Sequence, residues 1–357
     1  MYNTVAIDQL PCFIRKTFNY NQGGNGAWAG WRPAMAGPHL QALVMTGYVV
    51  GRLFAAIPVL LAVAVFVFLL LSLVPGDPAV LIAGDFASPP QVEAVRQALG
   101  LNLPLLPRFL AWAGRILSGD FGLSLFSRIP VSQLVAQRIE PTLLLSLMTI
   151  TIAVVVAVPL GLVAAYRPRG LVARLTMAGA VLGFSLPVFV VAFALVYTLA
   201  LGLHWFPVQG YKPLSQGVLA CLHSLVLPAI SLSFLYIALI ARVTRAAVLE
   251  VLREDYVRTA HAKGLAARKI IVRHVLSNAA VPIITVVGIG FAALLGGVVV
   301  TETVFSIPGL GRLTADSILR RDYPVVQALI LLFAFVYVVV NLVVDILYAV
   351  VDPRIRY

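Results

Sequence analysis

The sequence predicts an all-α polytopic membrane protein with six transmembrane helices. Of the 357 residues, 61% are hydrophobic and only 11% charged, where a soluble domain carries roughly a quarter charged residues. Six stretches contain no Asp, Glu, Lys or Arg and approach or exceed the length of about 20 apolar residues that a helix needs to cross a bilayer. They are too long, and too evenly apolar, for barrel strands of about ten alternating residues.

Residues 1–44 stand apart as a polar, Gly-rich extension (NQGGNGAWAG at Asn21 to Gly30), expected to be disordered. They lack the basic, apolar, small-residue order of a cleavable signal peptide. Met45, followed by TGYVVGRLF, reads as a natural start. The first span falls within Leu53 to Val74, giving a first membrane segment over 45–75 that PGDPA at Pro75 to Ala79 stops.

A lobe over 76–140 follows. Ser88 with Gln91 resembles a capping box, Pro89 suits a first helical position and Gly100 the residue after a helix end. A second short helix is expected from Pro107 to about Leu117, closed by Gly119, with Val131, Leu134, Val135 and Arg138 leading into the next span. The lobe reads equally well as a lid on the bundle or as a contact for an external partner. The core, 141–352, holds spans within Pro141 to Tyr166, Leu175 to Leu203, Ser224 to Ala241, Ala280 to Thr301 and Pro324 to Val344, before a short tail at 353–357.

Charge orients these spans. Arg15, Lys16, Arg32 and Arg52, then Arg167, Arg169 and Arg174, then eight Lys/Arg between Arg242 and Arg273, then Arg354 and Arg356, fall on one side. Positive residues favour the cytoplasm, so both termini are expected inside. The net charge of +12 reflects this bias and attraction to anionic headgroups of the lipid bilayer more than a nucleic-acid partner. Trp205, Phe206 and Tyr211 occupy a loop where interfacial aromatics belong.

Several chemistries find no support. Cys12 and Cys221 are too few and too separated for a disulfide framework or a CxxC metal site. His39, His204, His223, His261 and His274 are dispersed, so no metal site is expected. There is no phosphate loop and no GxSxG elbow, and no paired groups that would make an intramembrane enzyme, so the chain is not expected to be one. An ion-coupled carrier needs ionisable groups at mid-depth; Glu302 and Asp345 instead fall near span ends, leaving Ser185, Thr285 and Asn341 as candidates to line a path.

Energy would then enter from outside, at the basic loop 242–278. Glu254 and Asp255 suit a helix N-terminus, Lys263 its C-terminus, and Gly264 the left-handed residue that ends it. A second short helix is expected from about Ala266 to Leu276, making an elbow. Tyr256, Val257, Thr259, Ala260 and Ala262 are small or mildly apolar, suited to another protein's groove. By composition alone, the same loop could merely fix topology.

DYVRTAHAKGL at Asp255 to Leu265 closely resembles the loop signature of bacterial ABC importer permeases of the dipeptide, oligopeptide and nickel branch. PGDPA at Pro75, the run from Leu99 to Leu125, LPAISL at Leu227 to Leu232, RHVLSNAAVPIITVVG at Arg273 to Gly288, LLGGVVVTETVFSIPGLGRL at Leu294 to Leu313, RDYPVV at Arg321 to Val326 and NLVVDILYAVVDPRIRY at the C-terminus extend the likeness over roughly 45–357. The general signature begins Glu-Ala-Ala with a glycine four residues after the second alanine. Gly264 keeps that offset from Ala260, but Arg258 and Thr259 stand at the first two positions, and Pro282 lies farther from the glycine than in the general pattern.

The resemblance implies a type I importer permease fold in the bacterial inner membrane, paired with a second homologous permease to form a pathway for peptides. Two ATP-binding subunits, carrying ATP and Mg, would dock on the elbow, and an extracytoplasmic binding protein would deliver substrate. No cofactor is expected on this chain. Docking falls to Asp255, Tyr256, Arg258, Thr259, Ala260, Lys263 and Gly264. Glu302, Phe305, Pro308, Gly309 and Gly311 are candidates for the outer gate or the binding-protein contact. Nickel or another small solute is the alternative cargo, and an ion-coupled secondary transporter is the less favoured alternative mechanism.

Overall fold

A computed structural model describes residues 38–73, 78–84, 87–98 and 100–351. Most of the polar extension and the tail at 353–357 lie outside the described residues. Five apolar runs become long helices, which contain apolar segments at Val50–Leu69, Val131–Tyr166, Val218–Val251, Ala267–Gly296 and Tyr323–Tyr348. The remaining run is a pair, Leu171–Ser185 and Val188–Gly202, bent by 104°. The sequence reading of six spans is met by five helices and this broken one. Proline explains the break: Pro187 disfavours helical backbone at the residue before it, and Leu186 is extended (ψ 122°).

In chain order the helices are α1 (Pro38–Leu73), α2 (Pro78–Ala83), α3 (Pro89–Ala98), α4 (Leu105–Leu117), α5 (Val131–Tyr166), α6 (Leu171–Ser185) and α7 (Val188–Leu195), which continues as a π-helical turn, Val196–Gly202. Then come α8 (Val218–Val251), α9 (Asp255–Ala262), α10 (Ala267–Ile270), α11 (Ser277–Gly297), α12 (Val299–Val304), α13 (Leu310–Leu319) and α14 (Tyr323–Val351). The lobe punctuation is realised. Pro89 opens α3, the Gln91 side chain accepts from the Ser88 amide at 2.8 Å, and Gly100 (φ +64°) and Gly119 (φ +82°) follow α3 and α4.

The core is organised around α8, whose apolar window is 67% buried, against 33% for α5 and 11% for α1 and α14. Within a bilayer, lipid is as apolar as leucine, so helices associate through close packing of small residues. The face of α5 that meets α8 reads Ala153, Ala157, Gly161, Ala164 and Ala165, all buried. A Cβ on Gly161 would lie 2.7 Å from the Ala241 carbonyl and from the Thr244 Cβ, so only glycine permits this backbone approach. Gly183 serves α6 likewise, against Ala238 and the Phe234 carbonyl.

The apolar segment of the first helix, Val50–Leu69, is held near both ends by polar contacts. Arg52 makes a bidentate pair with Asp345 (Nε–Oδ2 3.0 Å, Nη2–Oδ1 3.1 Å). At the other end the Gln327 amide donates to the Val67 carbonyl at 2.9 Å. The contacts run in opposite chain order, so α1 lies antiparallel to α14. Replacing Asp345 with Ala leaves a guanidinium at the span end without its bidentate carboxylate, and should lower stability by about 1 kcal/mol, since Arg52 is half exposed. Thermal unfolding in nanodiscs measures this; a variant that melts with the wild type would show that the pair does not hold α1.

Candidate functional site: a basic elbow and a capped loop

Two places concentrate polar geometry at opposite ends of the bundle. The first is the elbow. Helix α8 runs on past Ala241 to Val251, so the connection between spans is shorter than the 242–278 expected. Helix α9 then occupies Asp255–Ala262, with Glu254 as its cap residue, extended at ψ 143°. Its C-terminus is a Schellman closure: the Gly264 amide donates to the His261 carbonyl (2.9 Å) and the Leu265 amide to the Ala260 carbonyl (3.3 Å). Gly264 has φ +74° with open space around its missing Cβ, so the backbone angle, not crowding, calls for glycine.

The second elbow helix differs from expectation. Residues 267–276 are not a free short helix: α10 passes through a π-helical turn, Ile271–Leu276, directly into α11, so they form the end of the fifth span. That continuity fixes where α9 can sit. Val257 (1% exposed) and Ala260 (7%) pack into a cluster with Ala165 of α5, Ala247 and Val248 of α8, Ile270 of α10, Val275 of the π turn, and Ala279 and Ile283 of α11. Residues three apart share a helix face, which separates the expected docking set. Ala260, with Val257, faces the chain's own core, while Asp255, Tyr256, Arg258, Thr259, Lys263 and Gly264 are exposed. The Arg258–Asp255 pair (3.4 Å) is between side chains 73% and 94% exposed and so contributes little.

At the opposite end, Glu302 on α12 is fully buried. Thr142 of α5 donates to its Oε1 at 2.6 Å and the Arg312 amide to its Oε2 at 2.8 Å, while the Leu310 amide donates to the Thr142 hydroxyl at 2.8 Å. The Gly311 amide also reaches the carboxyl. Glutamate and threonine together therefore cap the first amides of α13, where a carboxylate is favoured by the helix dipole. Burial pushes the Glu302 pKa up, against the pull of Thr142, the Arg312 and Gly311 amides and the Arg138 charge. The glycines of PGLGR follow from this: a Cβ on Gly309 would strike the Glu302 carboxylate, and one on Gly311 would lie 2.9 Å from the Val299 nitrogen and 3.1 Å from Glu302.

Of the gate candidates, Glu302, Phe305, Gly309 and Gly311 are thus buried and shape the loop, while Pro308 is half-buried. A parallel cap joins the lobe to the core. Asp322 (4% exposed) accepts from the Ser124 hydroxyl at 2.5 Å and the Leu125 amide at 3.1 Å. Neither Thr142 nor Asp322 was singled out from the sequence; a hydroxyl within a long apolar run and an Asp before the last span were the available signals. Among the pathway candidates, Thr285 is bound to Tyr348 of α14 at 2.6 Å and to the Val281 carbonyl. Ser185 and Asn341 bond to their own helices, at the Val181 and Tyr337 carbonyls, with Ser185 exposed at the 104° bend.

Residues 157–357 match the family described as binding-protein-dependent transport system inner membrane component, and 45–147 match its N-terminal counterpart. A probable peptide ABC transporter permease protein, y4tP, of Sinorhizobium fredii is 49% identical over 310 residues, 87% of this chain and 99% of that one. The glutathione transport system permease protein GsiC of Escherichia coli is 43% identical over 313 residues, 88% and 100% respectively. Among solved structures, the inward-facing MetNI methionine ABC transporter aligns with a TM-score of 0.51 at 16% identity, covering 62% of this chain and 97% of that one, a likeness of fold.

Glu302→Ala should leave the Thr142 hydroxyl and the two α13 amides without their acceptor, costing about 1–3 kcal/mol. Hydrogen exchange at Gly311 and Arg312 reads it directly. Unchanged protection of those amides would show that the carboxylate does not hold the loop.

Proposed function

The chain belongs to the family of binding-protein-dependent transport system inner membrane components, and from that premise we propose that it is the permease subunit of an ATP-driven importer of peptides, forming half of the pathway. The peptide cargo is supported by the relatives named for peptide and glutathione transport. In this reading a second homologous permease completes the pathway, two ATP-binding subunits carry the ATP and Mg, and a binding protein delivers cargo at the lobe end. Both termini lie in the cytoplasm, on the side of the basic elbow, in keeping with the positive-inside bias.

The observation that carries the mechanism is the two-faced α9. Its inner face is fixed through Val257 and Ala260 to α5, α8 and α11. Its other face presents Asp255, Tyr256, Arg258, Thr259 and Lys263. A partner that binds this face differently in its ATP-bound and free states biases the bundle between two arrangements, since only differential binding shifts such an equilibrium. The buried cluster transmits the displacement because close-packed cores do not deform continuously. Glu302, bonded to Thr142, ties the far end of α5 to the segment after α11, and Asp322 ties the start of α14 to the lobe.

Gly264→Pro cannot adopt φ +74° and removes the amide that bonds His261, so it should abolish uptake and substrate-stimulated ATP hydrolysis in the reconstituted complex while membrane insertion persists. Gly264→Ala should be milder, costing about 1 kcal/mol. Normal coupling in the proline variant would contradict the lever. On the exposed face, Thr259→Trp should release the ATP-binding subunits on co-purification without lowering the melting temperature, whereas Val257→Asp should lower it; equal destabilisation by both would remove the distinction between the faces.

A further inference from the structure

The helix α4, LLPRFLAWAGRIL, is the most strongly two-sided segment of the lobe, yet none of its residues is buried. Its apolar face divides into two stripes. One side, Phe109 and Trp112, packs on Phe68, with ring centroids 5.3 and 5.6 Å apart. Arg108 lies over the same Phe68 ring at 5.1 Å. The adjacent stripe is bare: Leu106, Leu110 and Leu117, at helical spacings of four and seven, are 67%, 61% and 89% exposed. Leu103 and Leu105, just before and at the start of the helix, are 51% and 58% exposed. Arg115, five residues after Leu110, stands on the other side of the helix and is also exposed.

Phe68 identifies the depth. It lies at the end of the apolar segment Val50–Leu69, which is long and apolar enough to cross a membrane and only 11% of whose window is buried against the rest of this chain. A helix pinned by two aromatic rings to that residue sits at the boundary where hydrocarbon meets headgroups. Trp with Leu and Phe on one side, and Arg on the other, is the composition of helices that lie in that boundary. Tryptophan favours it for its apolar body and polar tip, and arginine stems can lie along it with the charge in the headgroups.

We propose that α4 is an interfacial helix, lying in the bilayer surface at the lobe end with Leu106, Leu110 and Leu117 in the acyl boundary and Arg115 towards headgroups and water. The occupant of the bare stripe is thus lipid, continuous with the lipid around α1. The lobe is thereby tethered to the membrane beside the mouth of the bundle, and through Ser124 and Asp322 that tether reaches α14.

Nitroxide depth measurements test it on the full chain carrying Cys12→Ser and Cys221→Ala, reconstituted in nanodiscs and labelled at Leu110→Cys, Leu117→Cys or Arg115→Cys. The two leucine sites should collide with oxygen more than with a water-soluble nickel chelate, and Arg115 should show the reverse. Because the labels replace exposed side chains, folding is checked by an unshifted melting temperature. If the leucine sites meet the nickel chelate as freely as Arg115 does, the stripe lies in water and the proposal fails. If they are immobile and shielded from both reagents, another protein surface covers them, and it fails equally.

Discussion

The structure depends on how closely α8 can be approached. In water, apolar residues would drive such a bundle together; in lipid that drive is absent, and what remains is contact between backbones allowed by small side chains. Gly161 against Ala241 and Thr244, and Gly183 against Ala238, set two close approaches to α8. Because α8 continues to Val251, past the charge-free run that ends at Ala241, the same packing that builds the core also builds the platform on which α9 rests. Ala247 and Val248 belong to the platform, and Val257 and Ala260 close over them. The elbow is therefore a face of the core that happens to protrude.

Polar groups do different work. Several are placed where a helix starts, ends or must be held to a neighbour: Glu302 and Thr142 at the start of α13, Asp322 beside the lobe, Arg52 and Asp345 between α1 and α14. In a surrounding of low dielectric an unmet donor or charge is costly, so such contacts specify one arrangement of span ends. The bundle thus has specific ends and a closely packed hub, a combination suited to tilting without unravelling.

Much of this was legible in the sequence. The spans, the lobe helices and the stop at Gly264 are recorded in charge-free length, in Pro89 and Gly100, and in a glycine followed by Leu265. The family resemblance covered the same residues that later matched, from about 45 onward. Other features depend on tertiary partners and were not legible. Nothing local distinguishes Ala260, which faces inward, from Ala262, which is exposed; the spacing with Val257 only matters once α8 and α11 are present. Glu302 reads from sequence as a charge near a span end, and only Thr142, 160 residues away, reveals it as a cap. The break at Pro187 had a local signal, but no local signal set its angle of 104°.

The central claim is that α9 moves as one body with the elbow end of α8, so that a pull on its exposed face is a pull on the hub. Electron–electron distance measurement between labels at Thr259→Cys on α9 and Ala246→Cys on α8, in the assembled transporter with Cys12 and Cys221 replaced, tests it most directly. A single narrow distance, unchanged between nucleotide-free and ATP-trapped states, is the predicted result. A distance that shifts or broadens when ATP is trapped would show that the elbow slips on the core and would contradict the account.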